Sequence, residues 1–82
     1  MDVKMNTTKK FRWVNDDIKV DISVLPFALK DLCMRAEEMD IAGDWGYSEI
    51  ADAIDIEAKN IYVEGGINRK TWDKLVERYP YV

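Results

Sequence analysis

The apolar positions of the chain change period once, near Ser23, and the change divides it into two kinds of structure. Phe11, Trp13, Ile18, Val20 and Ile22 alternate with polar residues on either side of Asn15-Asp16-Asp17. That two-residue period is the signature of strands, whose successive side chains point to opposite faces. Asn and Asp favour turns because their short side chains accept hydrogen bonds from the backbone just ahead of them. A short β-hairpin is expected here, and two strands alone are marginal, so it must lie on helices.

Beyond Ser23 the period is helical. Leu25, Ala28/Leu29, Leu32/Cys33, Ala36 and Met39 recur every three or four residues, with Lys30, Asp31, Arg35, Glu37 and Glu38 on the other faces. Ser23 or Asp21 is the expected N-cap, Pro26 falls in the first turn where its missing N–H is harmless, and the helix should end near Asp40. The segment from Ile41 to Gly46 is a loop with two glycines, and Asp44 or Ser48 can cap a second helix starting between Trp45 and Ser48.

In that second helix Ile50, Ala51, Ile54, Ala58, Ile61 and Tyr62 form one stripe, while Ala53, Ile56 and Val63 lie off it. An apolar surface over more than half the circumference fits a helix packed between neighbours, or two shorter helices meeting near Asp55. Gly65-Gly66 stops it by supplying the left-handed cap conformation. Asn68 opens a third helix with Trp72, Leu75, Val76 and Tyr79 at spacings of three and four, and Pro80 ends it.

The expected fold is therefore α+β and mainly helical, an N-terminal β-hairpin followed by a three-helix bundle. Trp13, Leu29, Leu32, Ile50, Ile54, Ile61, Trp72 and Leu75 are its expected core. Residues 1–10, polar and without period, are expected to form a flexible arm, and residues 11–82 one small globular domain.

Composition narrows the chemistry. At 82 residues the chain is too short to enclose a deep substrate cavity between two lobes. Histidine is absent, which removes the usual neutral-pH acid/base, the commonest metal ligand and any His-dependent triad. The single Cys33 has no disulfide partner, no basic residue pair is arranged beside it, and a reducing cytoplasm is the expected compartment. No apolar run approaches the roughly 18 residues of a membrane span. Neither Asn15-Asp16-Asp17 nor Asp40 to Asp44 reproduces a calcium loop, and Gly65-Gly66 lacks the flanking strand and Lys-Ser/Thr of a phosphate loop. No cofactor, no metal and no enzymatic activity are expected.

Residues 47–66 resemble phage-repressor helix-turn-helix motifs. Ala51 stands where a small residue packs the two helices together, and Ile50, Ile54, Ile56 and Ile61 occupy the apolar places. The resemblance implies a DNA-binding regulator with residues 57–64 as recognition helix. Asp55 stands in place of the turn glycine, and residues 57–64 hold two acids against one Lys59, so such a helix would repel phosphates. One continuous core helix accounts for the same apolar residues. A second resemblance covers residues 47–79: the run from Ala58 to Ile67, then Thr71 to Leu75 and Arg78-Tyr79, is similar to the C-terminal helical hairpin of small phage- and prophage-encoded proteins. It implies a small binding protein of mobile-element type rather than an enzyme.

Net charge is -4, and it is unevenly spread. Residues 13–64 hold thirteen acids against four bases, whereas residues 1–12 and 65–82 are net basic. An acidic middle disfavours nucleic acid and suits a basic protein surface, as in phosphate-mimicking inhibitors. The functional expectation is a non-catalytic protein that occupies a surface of another protein, with Glu37, Glu38, Asp44, Glu49 and Asp52 as contact residues. A homodimer is open through any face of the second helix that the core leaves uncovered.

Overall fold

The computed structural model describes residues 10–82. Three helices organise them: α1, Phe27–Ala42; α2, Tyr47–Glu64; and α3, Arg69–Arg78. α1 packs on α2 and α2 on α3, with a single 3-10 turn, Ile22–Val24, set against α1. The expected arm lies outside the described residues except for Lys10.

Each helix starts and stops for a local reason. Asp21 caps the 3-10 turn, accepting from the Ser23 N–H at 3.2 Å. α1 begins directly after Pro26, whose carbonyl accepts from Lys30 N–H at 2.9 Å. It ends at Gly43, where φ is 72° and the Gly43 and Asp44 N–H groups return to the carbonyls of Asp40 and Met39. α2 ends the same way at Gly65, with φ 87°. A side chain at either position would be strained, which is why glycine sits there. Asn68 caps α3 as its sequence position suggests, its side chain accepting from Thr71 N–H at 2.8 Å.

The core follows the helical period. Leu29, Cys33, Ala36 and Asp40 form the buried row of α1, and Tyr47, Ala51, Ile54 and Ala58 that of α2. Small residues at Ala36, Ala51 and Ala58 let the backbones approach, while Leu75 and Tyr79 close the interior from α3 and its C-cap. Burial of each large side chain contributes roughly 1.5–3 kcal/mol. Of the expected core, Leu29, Ile54 and Leu75 are fully buried, whereas Trp13, Leu32, Ile50, Ile61 and Trp72 pack around the rim. α2 runs unbroken through Asp55.

The expected β-hairpin is not formed: among the described residues there is no strand. Asn15-Asp16-Asp17 does make a turn, with Asn15 Oδ1 accepting from Asp17 N–H at 3.1 Å and Ile18 N–H donating to Asn15 O at 3.2 Å. Its flanks, however, do not pair with each other. The N–H groups of Arg12, Trp13 and Val14 all donate to the side chain of Asp40, at 2.6, 2.7 and 2.8 Å. Asn15 N–H donates to the Arg78 carbonyl at 2.8 Å. Phe11 and Val14 turn inward and Arg12 outward in a bent cover strapped over the bundle, whose curvature at residues 12–14 aims three successive N–H groups at one carboxylate.

Two predictions follow from this interior. Asp40→Ala leaves three N–H groups without their acceptor and should lower unfolding free energy by about 3–5 kcal/mol. Urea denaturation reads this directly, and a loss under about 1 kcal/mol would show that the strap is held otherwise. Tyr47 is fully buried and its hydroxyl has no hydrogen-bond partner among the described residues. An unpaired buried hydroxyl is costly, so Tyr47→Phe should be neutral or stabilising by about 1 kcal/mol in the same assay.

Candidate functional site

The five expected contact residues divide into two groups. Glu37 faces inward: its Oε2 accepts from the Tyr79 hydroxyl at 2.6 Å and from Arg78 Nη2 at 3.2 Å. Asp44 is tied into the loop before α2, its Oδ1 accepting from Gly46 N–H at 2.8 Å. Glu38 is exposed on the outer side of α1. Glu49 and Asp52 are exposed one turn apart on the outer side of α2, and Ile56, 55% exposed, follows one turn later.

Beside this face the structure opens a groove that the residue pattern did not single out. Asp55 from α2 and Trp72, Asp73, Val76 and Glu77 from α3 line a cleft of about 420 Å³. Trp72 is fixed on three sides. Its indole N–H donates to Asp55 Oδ1 at 2.9 Å, its ring lies 5.4 Å from that of Tyr62, and the Arg69 guanidinium sits 4.9 Å over it. Arg69 is held there by Asp73 at 3.0 Å, and this hydrogen bond is the main reason its pKa is raised. The outcome is an apolar floor of Trp72 and Val76 inside a rim of Asp55, Asp73 and Glu77, continuous along α2 with Asp52 and Glu49.

The remaining charged cluster is internal. Arg78 Nη1 donates to the Ile18 carbonyl at 2.8 Å and pairs with Asp16 at 3.4 Å, while its Nε donates to the Tyr79 hydroxyl at 3.1 Å. Burial works against the Arg78 charge, yet the hydrogen bonds and charges of Tyr79 and Glu37 outweigh it and its pKa is raised. Burial first, then the bond to Glu37, pushes the Tyr79 hydroxyl up. Burial likewise pushes the Cys33 thiol up to about 11, so little thiolate forms at neutral pH. The nucleophile and the phenol are walled in, and the groove offers shape, charge and an apolar floor.

A second cleft, of about 490 Å³, lies between the segment around Val24 and the Gly65-Gly66 turn, with Lys19 and Lys74 at its edge. Among the described residues no three His, Cys, Asp or Glu side chains converge as metal ligands, and no helix is long and apolar enough to cross a membrane. Residues 57–64 continue α2 instead of following a turn, so residues 47–66 do not have helix-turn-helix geometry. No protein family, curated protein or solved structure matches the chain.

The buried acids set an alkaline limit. Cys33 is raised from 9.0 to about 11, and burial raises Tyr47 and Tyr79 above the ordinary 10.0. The folded state therefore keeps protons that the unfolded chain releases above pH 9, and stability present below that pH is lost as pH rises through 9 to 11. The thermal midpoint should fall over this interval, with a shallower onset in Cys33→Ala. A midpoint independent of pH up to 11 would contradict the burial of these groups.

Proposed function

We propose that this chain is a non-catalytic binding domain that occupies a basic surface of another protein, through the outer face of α2 and the groove α2 shares with α3. One observation carries the reading: Asp55, Asp73 and Glu77 rim a cleft floored by Trp72 and Val76, with exposed Glu49 and Asp52 farther along α2. An apolar centre inside a polar rim is the anatomy of protein interfaces. Five carboxylates steer toward Lys- and Arg-bearing partners and away from phosphates. Occupation of such a surface would make the domain an inhibitor or a competitor of whatever else binds there.

The test is capture from host extract with the wild-type chain and with a Glu49→Lys/Asp52→Lys variant, followed by titration of the purified partner at two salt concentrations. A basic protein should be captured by the wild type, bound at least about tenfold more weakly by the variant, and released by salt. Equal binding by the variant removes α2 from the interface. Retention of duplex DNA with a steep salt dependence would replace this reading by a regulator.

A further inference from the structure

One wall of the second cleft is an unpaired length of backbone. The bends of the N-terminal cover end at Ile18, and Lys19 to Asp21 run on without bend or helix, Asp21 with φ -80° and ψ 93°. The grip of Arg78 stops at the Ile18 carbonyl, and the 3-10 turn begins at Ile22. Between them, the N–H groups of Lys19, Val20 and Asp21 and the carbonyls of Lys19 and Val20 have no hydrogen-bond partner among the described residues. Water satisfies exposed groups of this kind, and an extended chain laid alongside can take its place, as it does at the edge of a sheet.

The cleft also supplies side-chain contacts and a sign of charge. Val20, Val24 and Pro26 line one wall and Ile67 the other, and Val24 is 75% exposed. Lys19 stands on the first wall and Lys74 on the second. The carboxylate among the lining residues, Asp21, is already taken by the N–H and hydroxyl of Ser23, at 3.2 and 2.6 Å, and the Asn68 side chain by Thr71 N–H. Two cations thus face one engaged acid, the reverse of the α2–α3 groove. The volume, about 490 Å³, falls in the range of roughly 300–1,000 Å³ that ligand sites occupy.

We infer that this cleft binds an extended acidic peptide, which adds alongside Lys19 to Asp21, sets apolar side chains against Val20, Val24 and Ile67, and carries carboxylates to Lys19 and Lys74. Successive side chains of an extended chain point to opposite faces, so a segment that alternates apolar and acidic residues meets both demands at once. The main-chain bonds give affinity without regard to sequence, and the lysine on each wall selects an acidic segment over a basic one. The site shares no residue with the α2–α3 groove and stands or falls separately from the reading of that groove.

Fluorescence anisotropy with short labelled peptides tests it. One set alternates Val or Leu with Glu or Asp, a second alternates the same apolar residues with Lys, and a third is Glu alone, each titrated with the full chain up to about 1 mM. The alternating acidic set should bind saturably and the other two at least about tenfold more weakly. Lys19→Glu/Lys74→Glu, at two exposed positions, should weaken the acidic set by about tenfold or more, whereas Glu49→Lys/Asp52→Lys should not weaken it. Methylating every second backbone nitrogen of the peptide should abolish binding in one phase of the alternation and spare it in the other, because only alternate N–H groups of a strand face a given neighbour. No binding of the acidic set at 1 mM, equal binding of the Lys or Glu-only set, indifference to the lysine reversal, or tolerance of methylation in both phases would overturn the assignment.

Discussion

The architecture depends on one carboxylate. Asp40 is fully buried at the end of α1 and takes the N–H groups of Arg12, Trp13 and Val14. A bent, non-helical segment crossing a helical bundle has no strand partner, and each of its buried N–H groups needs an acceptor. A carbonyl inside a helix is already occupied, so only a side chain or a free carbonyl of a last turn, such as that of Arg78, can serve. A carboxylate, with two oxygens and four lone pairs, is the side chain able to accept three donors at once. Without it three buried, unpaired N–H groups would oppose the apolar gain that draws Phe11 and Val14 over the core, and the ring of Trp13, against which Trp45 and Tyr47 pack, would lose its anchor.

Arg78 fastens the other end of the same segment. It holds the Ile18 carbonyl and Asp16, while its own backbone carbonyl takes Asn15 N–H. The turn is thus gripped from α3, just as the strand-like stretch before it is gripped from α1. Replacing buried ions by apolar groups is often neutral or better for stability, so two polar clasps in so small a core are better understood as fixing one placement of the segment than as a source of net stability. A purely apolar cover of Phe11 and Val14 could slide along the bundle, whereas Asp40 and Arg78 accept a single register.

The helices were legible because each is bounded by local chemistry that needs nothing distant: Asn68 at the start of α3, glycines in the left-handed conformation after α1 and α2. Alternation of apolar and polar residues suggests a straight strand over the stretch expected to form the hairpin, but the chain bends at residues 12–14. Alternation does not say what takes the N–H groups, and here that answer lies 26 to 28 residues away, in Asp40. The sign that could have shown it is the spacing of Asp40 from Leu29, Cys33 and Ala36, which places an acid in the buried row of α1. Charged residues are rarely buried without partners, so an acid at that position reads from the sequence alone as facing solvent. The same prejudice hid Arg78, one turn after Leu75. It also put Glu37 on the surface, and the preference for tryptophan as core anchor overlooked Tyr47 and Tyr79, whose slimmer rings reach the centre while Trp13 and Trp72 remain at the rim. Of the candidate site, Glu49 and Asp52 could be read from period alone. The groove could not, since Asp55 and Trp72 meet only because α2 passes unbroken beside α3.

Inward-facing charge and outward-facing charge are consequences of the same economy of side chains. Asp40, Glu37 and Arg78 satisfy the interior, while at the surface α2 carries its carboxylates against the single Lys59, and α3 sets Asp73 and Glu77 beside Lys70, Lys74 and the Arg69 held over Trp72. The outer side of α1 is different in kind, since its acids and bases balance around an apolar row. An unbalanced face such as that of α2 selects a partner of opposite sign.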